Sequence, residues 1–406
     1  GGKIMHCVRK VTEDLFWVGG NDKRLHLFEN IHPIEDGVSY NSYLLLDEKT
    51  VLFDTADWSV GRQFIENVEY VLDGRKLDYM VINHMEPDHC ASMEEIILRY
   101  PDVKIVSTEK ALMLMHQFGY TVDENFIQVA EGDTMSFGKH NVVFVEAPMV
   151  HWPEAMVTFD TTDGVLFSAD AFGSFKSLDG ALFADEVDFD GEWINEARRY
   201  YTNIVGKYGP EVMDLLKKAQ TIDIKIICPL HGPVWRKDIG YILDKYIHWA
   251  TYTPEEKGVL LCYASMYGNT ENAAHILATK LHEKGMHKVH MYDVSKTHVS
   301  YLIGEAFKYS HLALLSATYN LNVFPAMENF VQDMKRLNLQ KRVVAVVENG
   351  SWAPQASVLI NETLDEMKQM TVLNEEVSVL SSVSKMTESE LDSLADSIIE
   401  SMSQSY

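Results

Sequence analysis

The sequence predicts an α/β protein of two domains, mixed α/β layers in the first half and a doubly wound parallel sheet in the second. Three observations carry that prediction. At 406 residues the chain exceeds one ordinary hydrophobic core. Strand-like and helical stretches alternate throughout, but over the first 250 residues the strands come in neighbouring pairs, whereas later each buried-looking strand leads into an amphipathic helix. Between the two rhythms lies Thr251-Tyr252-Thr253-Pro254-Glu255-Glu256-Lys257-Gly258, a polar run with a proline and a glycine, which reads as a linker. The expected domains are therefore 5–250 and 257–406, with Gly1 to Ile4 reading as an appended tag.

In the first domain, β-branched and aromatic runs predict strands at 41–46, 51–54, 79–83, 103–107, 141–146, 156–159, 165–168 and 224–228. Apolar residues at helical spacing predict helices at 60–70, 93–100, 110–117, 192–205 and 211–220. Paired strands favour antiparallel pairing here. In the second domain, the runs 259–263, 312–316 and 343–347 are apolar on both faces, as strands covered by helices on both sides must be. A last helix is predicted over 387–402.

Composition excludes several classes. A hydrophobic content of 46% and a charged content of 23% are those of a soluble globular protein. Lys plus Arg is 35 against 60 for Asp plus Glu, a net charge of -25, which opposes nucleic-acid binding. No apolar run is long enough for a membrane helix, and no signal peptide is evident. The four cysteines, Cys7, Cys90, Cys228 and Cys262, are scattered and reduced-looking, as in a cytoplasmic protein, and form no iron–thiolate motif.

Just after the strand at 79–83 comes His84-Met85-Glu86-Pro87-Asp88-His89, in which four of six residues can bind a metal. A solvated turn is the plain alternative, because Glu-Pro-Asp is good turn chemistry. Further candidates each follow a strand: His151 after Ala147-Pro148-Met149-Val150, Asp170 after Ser168-Ala169, and His231 after Pro229-Leu230. Strand ends of one sheet share a rim, so these loops can converge. The ordered set is more informative than any one of the sixteen histidines.

In the second domain the strand at 259–263 runs through Ala264-Ser265-Met266-Tyr267-Gly268-Asn269-Thr270 into a helix, the arrangement of an anion site. A capped strand-to-helix turn is the plain alternative. Thr318-Tyr319-Asn320 and Asn349-Gly350-Ser351-Trp352 follow later strands, at the carboxyl ends where such sheets bind ligands. Tyr319 and Trp352 are placed to flank a flat ring, and Gly350 allows the backbone to approach it. The lack of a Gly-x-Gly-x-x-Gly turn suits a mononucleotide.

These loops resemble those of a flavodoxin, which implies FMN. The metal-binding set, with His151-Trp152-Pro153-Glu154, Ser168-Ala169-Asp170-Ala171-Phe172-Gly173 and Pro229-Leu230-His231-Gly232, resembles the metallo-β-lactamase fold and, more narrowly, the flavodiiron proteins. The resemblance covers the chain from about Met5 and includes the order of the two domains. It implies an αββα sandwich followed by a flavodoxin-like sheet. Hydrolytic members of the superfamily read His-x-His-x-Asp-His and hold zinc; here Glu86 stands in the middle, and a site richer in anionic oxygen suits iron. Carried over residue by residue, the resemblance implies one iron on His84, Glu86 and His151, and a second on Asp88 and His231 with His89 as a further candidate. Asp170 bridges them. It further implies His26 and Tyr200 (or its neighbour Tyr201) near the substrate pocket.

The implied activity is reduction of dioxygen to water at two iron ions fed by FMN, with nitric oxide reduction to nitrous oxide as the alternative and a dinuclear zinc hydrolase as a further one. The implied partners are a rubredoxin-like donor with its NADH-dependent reductase, or a deazaflavin donor, and a second copy of the chain in a head-to-tail homodimer or dimer of dimers.

Overall fold

The computed structural model describes residues 6–404; the expected domain start at Met5 lies outside them. The chain divides between Tyr246 and Ile247 into two compact units.

The first unit is built on two sheets. One has seven strands in the order Arg9–Lys10, Leu15–Trp17, Tyr43–Leu46, Thr50–Phe53, Tyr79–Val81, Lys104–Ser107 and Phe126–Gln128. The other has five in the order Thr134–Ser136, Asn141–Glu146, Met156–Asp160, Val165–Phe167 and Ile226–Cys228. Their inner faces meet in the core, where Phe53 and Phe167 stack with ring centroids 3.8 Å apart. Pairing is mixed rather than antiparallel as expected. Tyr43–Leu46 and Thr50–Phe53 pair antiparallel, but Thr50–Phe53, Tyr79–Val81 and Lys104–Ser107 are mutually parallel. The reason is the helix Gly61–Leu72, a crossover that returns the chain to the same edge of the sheet. Parallel strands place their carboxyl ends on one rim of their sheet: the loop after Tyr79–Val81 leaves from the seven-stranded sheet, and those after Val165–Phe167 and Ile226–Cys228 leave from a common rim of the five-stranded sheet.

The helix predicted at 192–205 is broken. A π-helical turn at Phe189–Trp193, an α-helix Ile194–Tyr200 and a second π turn at Tyr201–Val205 follow one another. The extra residue per turn lets both Tyr200 and Tyr201 face the interior, where both are buried.

The second unit carries a parallel sheet in the order Val289–Asp293, Glu256–Ala264, Tyr309–Tyr319, Val343–Asn349 and Thr371–Val372. Alternate residues serve opposite faces. Leu260, Cys262, Leu312 and Leu314 pack beneath the helices Val299–Lys308 and Pro325–Arg336. Val259, Leu261, Ala313 and Leu315 pack beneath Asn269–Glu283 and Lys385–Ser401. Glu256–Gly258, expected in the linker, already belong to the strand Glu256–Ala264. Tyr252 is buried, and its carbonyl accepts a hydrogen bond from the Arg342 guanidinium. Among the described residues no helix is long and apolar enough to cross a membrane.

Candidate metal centre and nucleotide pocket

The hexapeptide is fixed from beneath. Asp54 ends its strand with φ +60° and is buried. Its carboxylate accepts from Asn83 N at 2.8 Å, Asn83 Nδ2 at 2.9 Å and His84 N at 3.4 Å. Burial pushes the Asp54 carboxyl up to about 6, against the hydrogen bonds from Asn83. The Thr158 hydroxyl donates to Asn83 Oδ1 at 2.8 Å and ties the loop to the second sheet. Pro87 then opens a four-residue helix, Pro87–Cys90, whose first turn carries Asp88.

All seven candidate ligands converge in two groups. In the first, Glu86 Oε2 lies 3.2 Å from His84 Nε2 and 3.0 Å from His151 Nε2. In the second, Asp88 Oδ2 lies 3.2 Å from both His89 Nε2 and His231 Nε2. Asp170 faces both groups. Its Oδ2 is 3.0 Å from His84 Nε2 and 3.1 Å from His151 Nε2, and its Oδ1 is 3.1 Å from His89 Nε2 and 3.6 Å from His231 Nε2. Within each group the ligand atoms lie within 4.8 Å of one another.

Several of these contacts are not hydrogen bonds. Both oxygens of Asp88, Oδ2 of Asp170 and Nε2 of His231 are buried without a hydrogen-bond partner, although nitrogen and oxygen atoms stand close by. Buried polar atoms rarely go unpaired. Lone pairs aimed at shared points rather than at protons are what a cation requires, so the donor set fits a pair of metal ions. The electrostatics agree. Burial alone would keep His84 neutral, but Asp170, Glu154 and Glu86 drive its pKa well above the usual imidazole range. Asp170, against its own burial, is held well below the carboxylate range by His84 and His89. Protons or metal cations must balance these carboxylates.

Outer partners fix which histidine nitrogen faces the centre. His84 Nδ1 lies 2.7 Å from Glu154 Oε1, which also accepts from Met85 N at 2.7 Å. His231 Nδ1 donates to the Ser39 carbonyl at 2.8 Å. Both bonds leave Nε2 as the free lone pair. The Nδ1 of His89 is buried without a partner, so His89 lacks this anchor.

Sequence reasoning missed Glu154 and Ser39 in these roles, and also Glu29. The residue as a whole is exposed, but its carboxyl lies close enough to that of Glu86 for the two to act on each other. Burial, then Glu86, push the Glu29 carboxyl up to about 9. His26, in the same loop, is exposed. Tyr200 packs on His231 with ring centroids 5.3 Å apart, and its buried hydroxyl has no hydrogen-bond partner. Tyr201 turns away to stack edge-on against Tyr246.

In the second unit, every nucleotide-pocket candidate except Gly268 and Tyr319 lines one concavity, joined by Ala317, Leu321 and Ser381. No Lys or Arg lines it, so an anion there would meet hydroxyls and the amino end of Asn269–Glu283. Gly268 caps that helix at φ +100° and donates its N–H to Ser265 Oγ at 3.0 Å. Trp352 is 71% exposed and Tyr319 43% exposed, presenting aromatic faces beside the concavity. Two candidates are occupied structurally. The Thr318 hydroxyl accepts from Gln355 N at 3.1 Å, and the Asn349 side chain exchanges hydrogen bonds with Ser381 at 3.0 and 3.1 Å. The remaining hydroxyls, helix end and exposed rings fit a phosphate joined to a flat heterocycle.

Residues 38–232 match the ODP family beta lactamase and residues 261–385 the flavodoxin family. The chain is 32% identical over 348 residues to the anaerobic nitric oxide reductase flavorubredoxin of Aeromonas hydrophila, covering 84% of this chain and 70% of that one. The solved rubredoxin oxygen:oxidoreductase of Desulfovibrio gigas superposes with a TM-score of 0.91 at 27% identity, covering 98% of both chains. The flavodiiron protein of Giardia intestinalis shares the fold, with a TM-score of 0.88 at 22% identity over 98% of both chains. Two domains in the same order, a paired His/carboxylate centre and a nucleotide pocket, together with this similarity along the chain, make it a member of the flavodiiron protein family.

Proposed function

We propose that this chain reduces dioxygen to water at two iron ions recharged by FMN. The observation that carries this reading is Asp170, one buried carboxylate facing both ligand groups, with Glu86 adding anionic oxygen where hydrolytic relatives have imidazole. Residues 5–250 form the metal domain and 257–406 the FMN domain. His84, Glu86 and His151 would hold one iron and Asp88 and His231 the other, with His89 as a further candidate and Asp170 serving both.

When bound, FMN and a ferrous pair supply the four electrons that take dioxygen to two waters, or the two that couple two NO molecules into nitrous oxide and water. The chain's own residues prepare the site. Glu154 and the Ser39 carbonyl hold His84 and His231 in the Nδ1–H tautomer. The packing of Phe28, Phe175 and Tyr200 around His231 excludes water from that side. Tyr200 holds a proton at its hydroxyl within the pocket, because burial, then Asp170, keep the phenol from ionising. We assign the proton-holding role to Tyr200 ahead of the exposed His26.

The donor is a rubredoxin-like carrier reduced by an NADH-dependent partner, in keeping with the rubredoxin named for the Desulfovibrio protein. The chain works in the cytoplasm as a head-to-tail homodimer or dimer of dimers. Nitric oxide reduction is the second reading, favoured by the similarity to a flavorubredoxin of that activity. Anaerobic stopped-flow of the reduced protein against each gas separately tests both. Fast reoxidation of iron and flavin by dioxygen supports the first reading, and by NO alone the second. Zinc in place of iron with no reoxidation by either gas removes both.

A further inference from the structure

An apolar pocket of about 410 Å³, partly open to solvent, lies on the outer face of the five-stranded sheet. Strand alternation puts it there. Phe167 turns inward onto Phe53, so Leu166 and Ser168 turn outward and line the cavity with Val145 and Val157. Leu216 and Ala219 of the helix Gly209–Ala219 roof it. One end is closed by Ser168 and Phe172, the residues two before and two after Asp170.

The polar atoms of that end wall are already paired. The Ser168 hydroxyl donates to the Ala171 carbonyl at 2.7 Å, and Phe172 N–H donates to the Tyr246 hydroxyl at 2.5 Å. At the other end Lys218 is drawn to the rim, donating to the Glu146 carbonyl at 2.8 Å beside Glu131. Apolar walls whose polar atoms are already satisfied give water few partners, so the pocket favours nonpolar guests over ordered water. Small neutral diatomic gases are guests of that kind, because they leave water for apolar surroundings at little cost.

We propose that this cavity is a holding site for neutral diatomic gas, which passes to the metal centre across the turn Ser168 to Phe172. The proposal rests on the gas-reductase reading above. Its substrate class is the shared chemistry of dioxygen and nitric oxide, and the gas supplied in the assay distinguishes the two.

The test uses crystals of the iron- and FMN-loaded protein under xenon pressure, alongside steady-state kinetics of Ala219→Phe, which inserts a ring into the cavity. The wild type is expected to show xenon among Val157, Leu166 and Leu216. The variant is expected to lose it and to show a KM for the gas raised about threefold at unchanged kcat, since only delivery is impaired. A wild-type cavity without xenon overturns the proposal, and so does a filled cavity with unchanged KM. Should Ala219→Phe fold poorly, Val157→Leu gives a smaller filling with the same two readouts. Failure of the loaded wild type to consume either gas would strike the gas-reductase reading, while xenon occupancy still reports on the cavity by itself.

Discussion

Glu154 is the residue whose replacement isolates one half of the metal centre. Its Oε1 takes two hydrogen bonds at 2.7 Å, from His84 Nδ1 and Met85 N, and neither side chain is exposed. Glu154→Gln keeps the shape and an acceptor oxygen but removes the charge. A hydrogen bond to a charged partner contributes about 1.5–3 kcal/mol where a neutral one contributes about 1, so the change costs His84 roughly 1–2 kcal/mol of orientation. At about 1.4 kcal/mol per tenfold, iron affinity at the His84 position should fall about 5- to 30-fold, within the range such outer partners command elsewhere. The second group does not touch Glu154, so its iron should stay. Equilibrium dialysis against ferrous iron under anaerobic conditions, followed by metal analysis, measures this directly. The expected result is two iron ions per chain in the wild type and one retained tightly in Glu154→Gln. Two ions with unchanged affinity in the variant would refute the claim that Glu154 orients His84.

Three further outcomes are expected. His140 is buried with Asp160 Oδ2 2.6 Å from Nδ1 and Asp14 Oδ2 2.6 Å from Nε2, and both contacts are hydrogen bonds only for the imidazolium. Burial opposes the charge, but the two carboxylates raise the pKa. The stabilisation is thus complete below the ordinary imidazole value and is lost as pH rises through the raised one, so wild type should lose thermal stability more steeply than His140→Gln as pH climbs above the ordinary imidazole range. His311 is the opposite case. Burial first, then Lys257 and Arg342, lower it to about 4, so its stabilisation is lost as pH falls from the unfolded value of 6.5 toward 4. The loss amounts to about 2 kcal/mol by pH 5, and amide exchange of the parallel sheet should show it in wild type but not in His311→Gln. Gly268→Ala meets nothing within 4 Å but must keep φ +100°, so it should cost about 1 kcal/mol and weaken FMN binding severalfold in a fluorescence-quench titration.

The candidate ligands were legible because each is a distinctive side chain at the end of a predicted strand, and strand ends share a rim. The nucleotide loops were legible for the same reason, at Ser265 to Thr270 and Asn349 to Trp352. What escaped is what only tertiary packing creates. Glu154 stands in a stretch read for its neighbour His151, and nothing in the order of residues says that its carboxylate crosses to His84. Ser39 acts through its carbonyl, which any residue has. Glu29 reaches Glu86 because residues 29 and 30 take left-handed backbone angles that reverse the loop. Strands of two or three residues, such as Leu27–Phe28 and His32–Pro33, are too short to show a period of two. Parallel pairing in the first unit was missed because the crossover helix, though predicted, was not joined to a choice of sheet edge.

The central claim is that Asp170 joins two iron ions in one buried centre. Anomalous scattering measured on either side of the iron absorption edge, from crystals of the anaerobically loaded protein, tests it most directly. Two iron peaks about 3.5–4 Å apart, one on each side of Asp170, are the predicted result. A single peak, a zinc signal at both positions, or Glu86 and Asp170 turned away from the ions would contradict it.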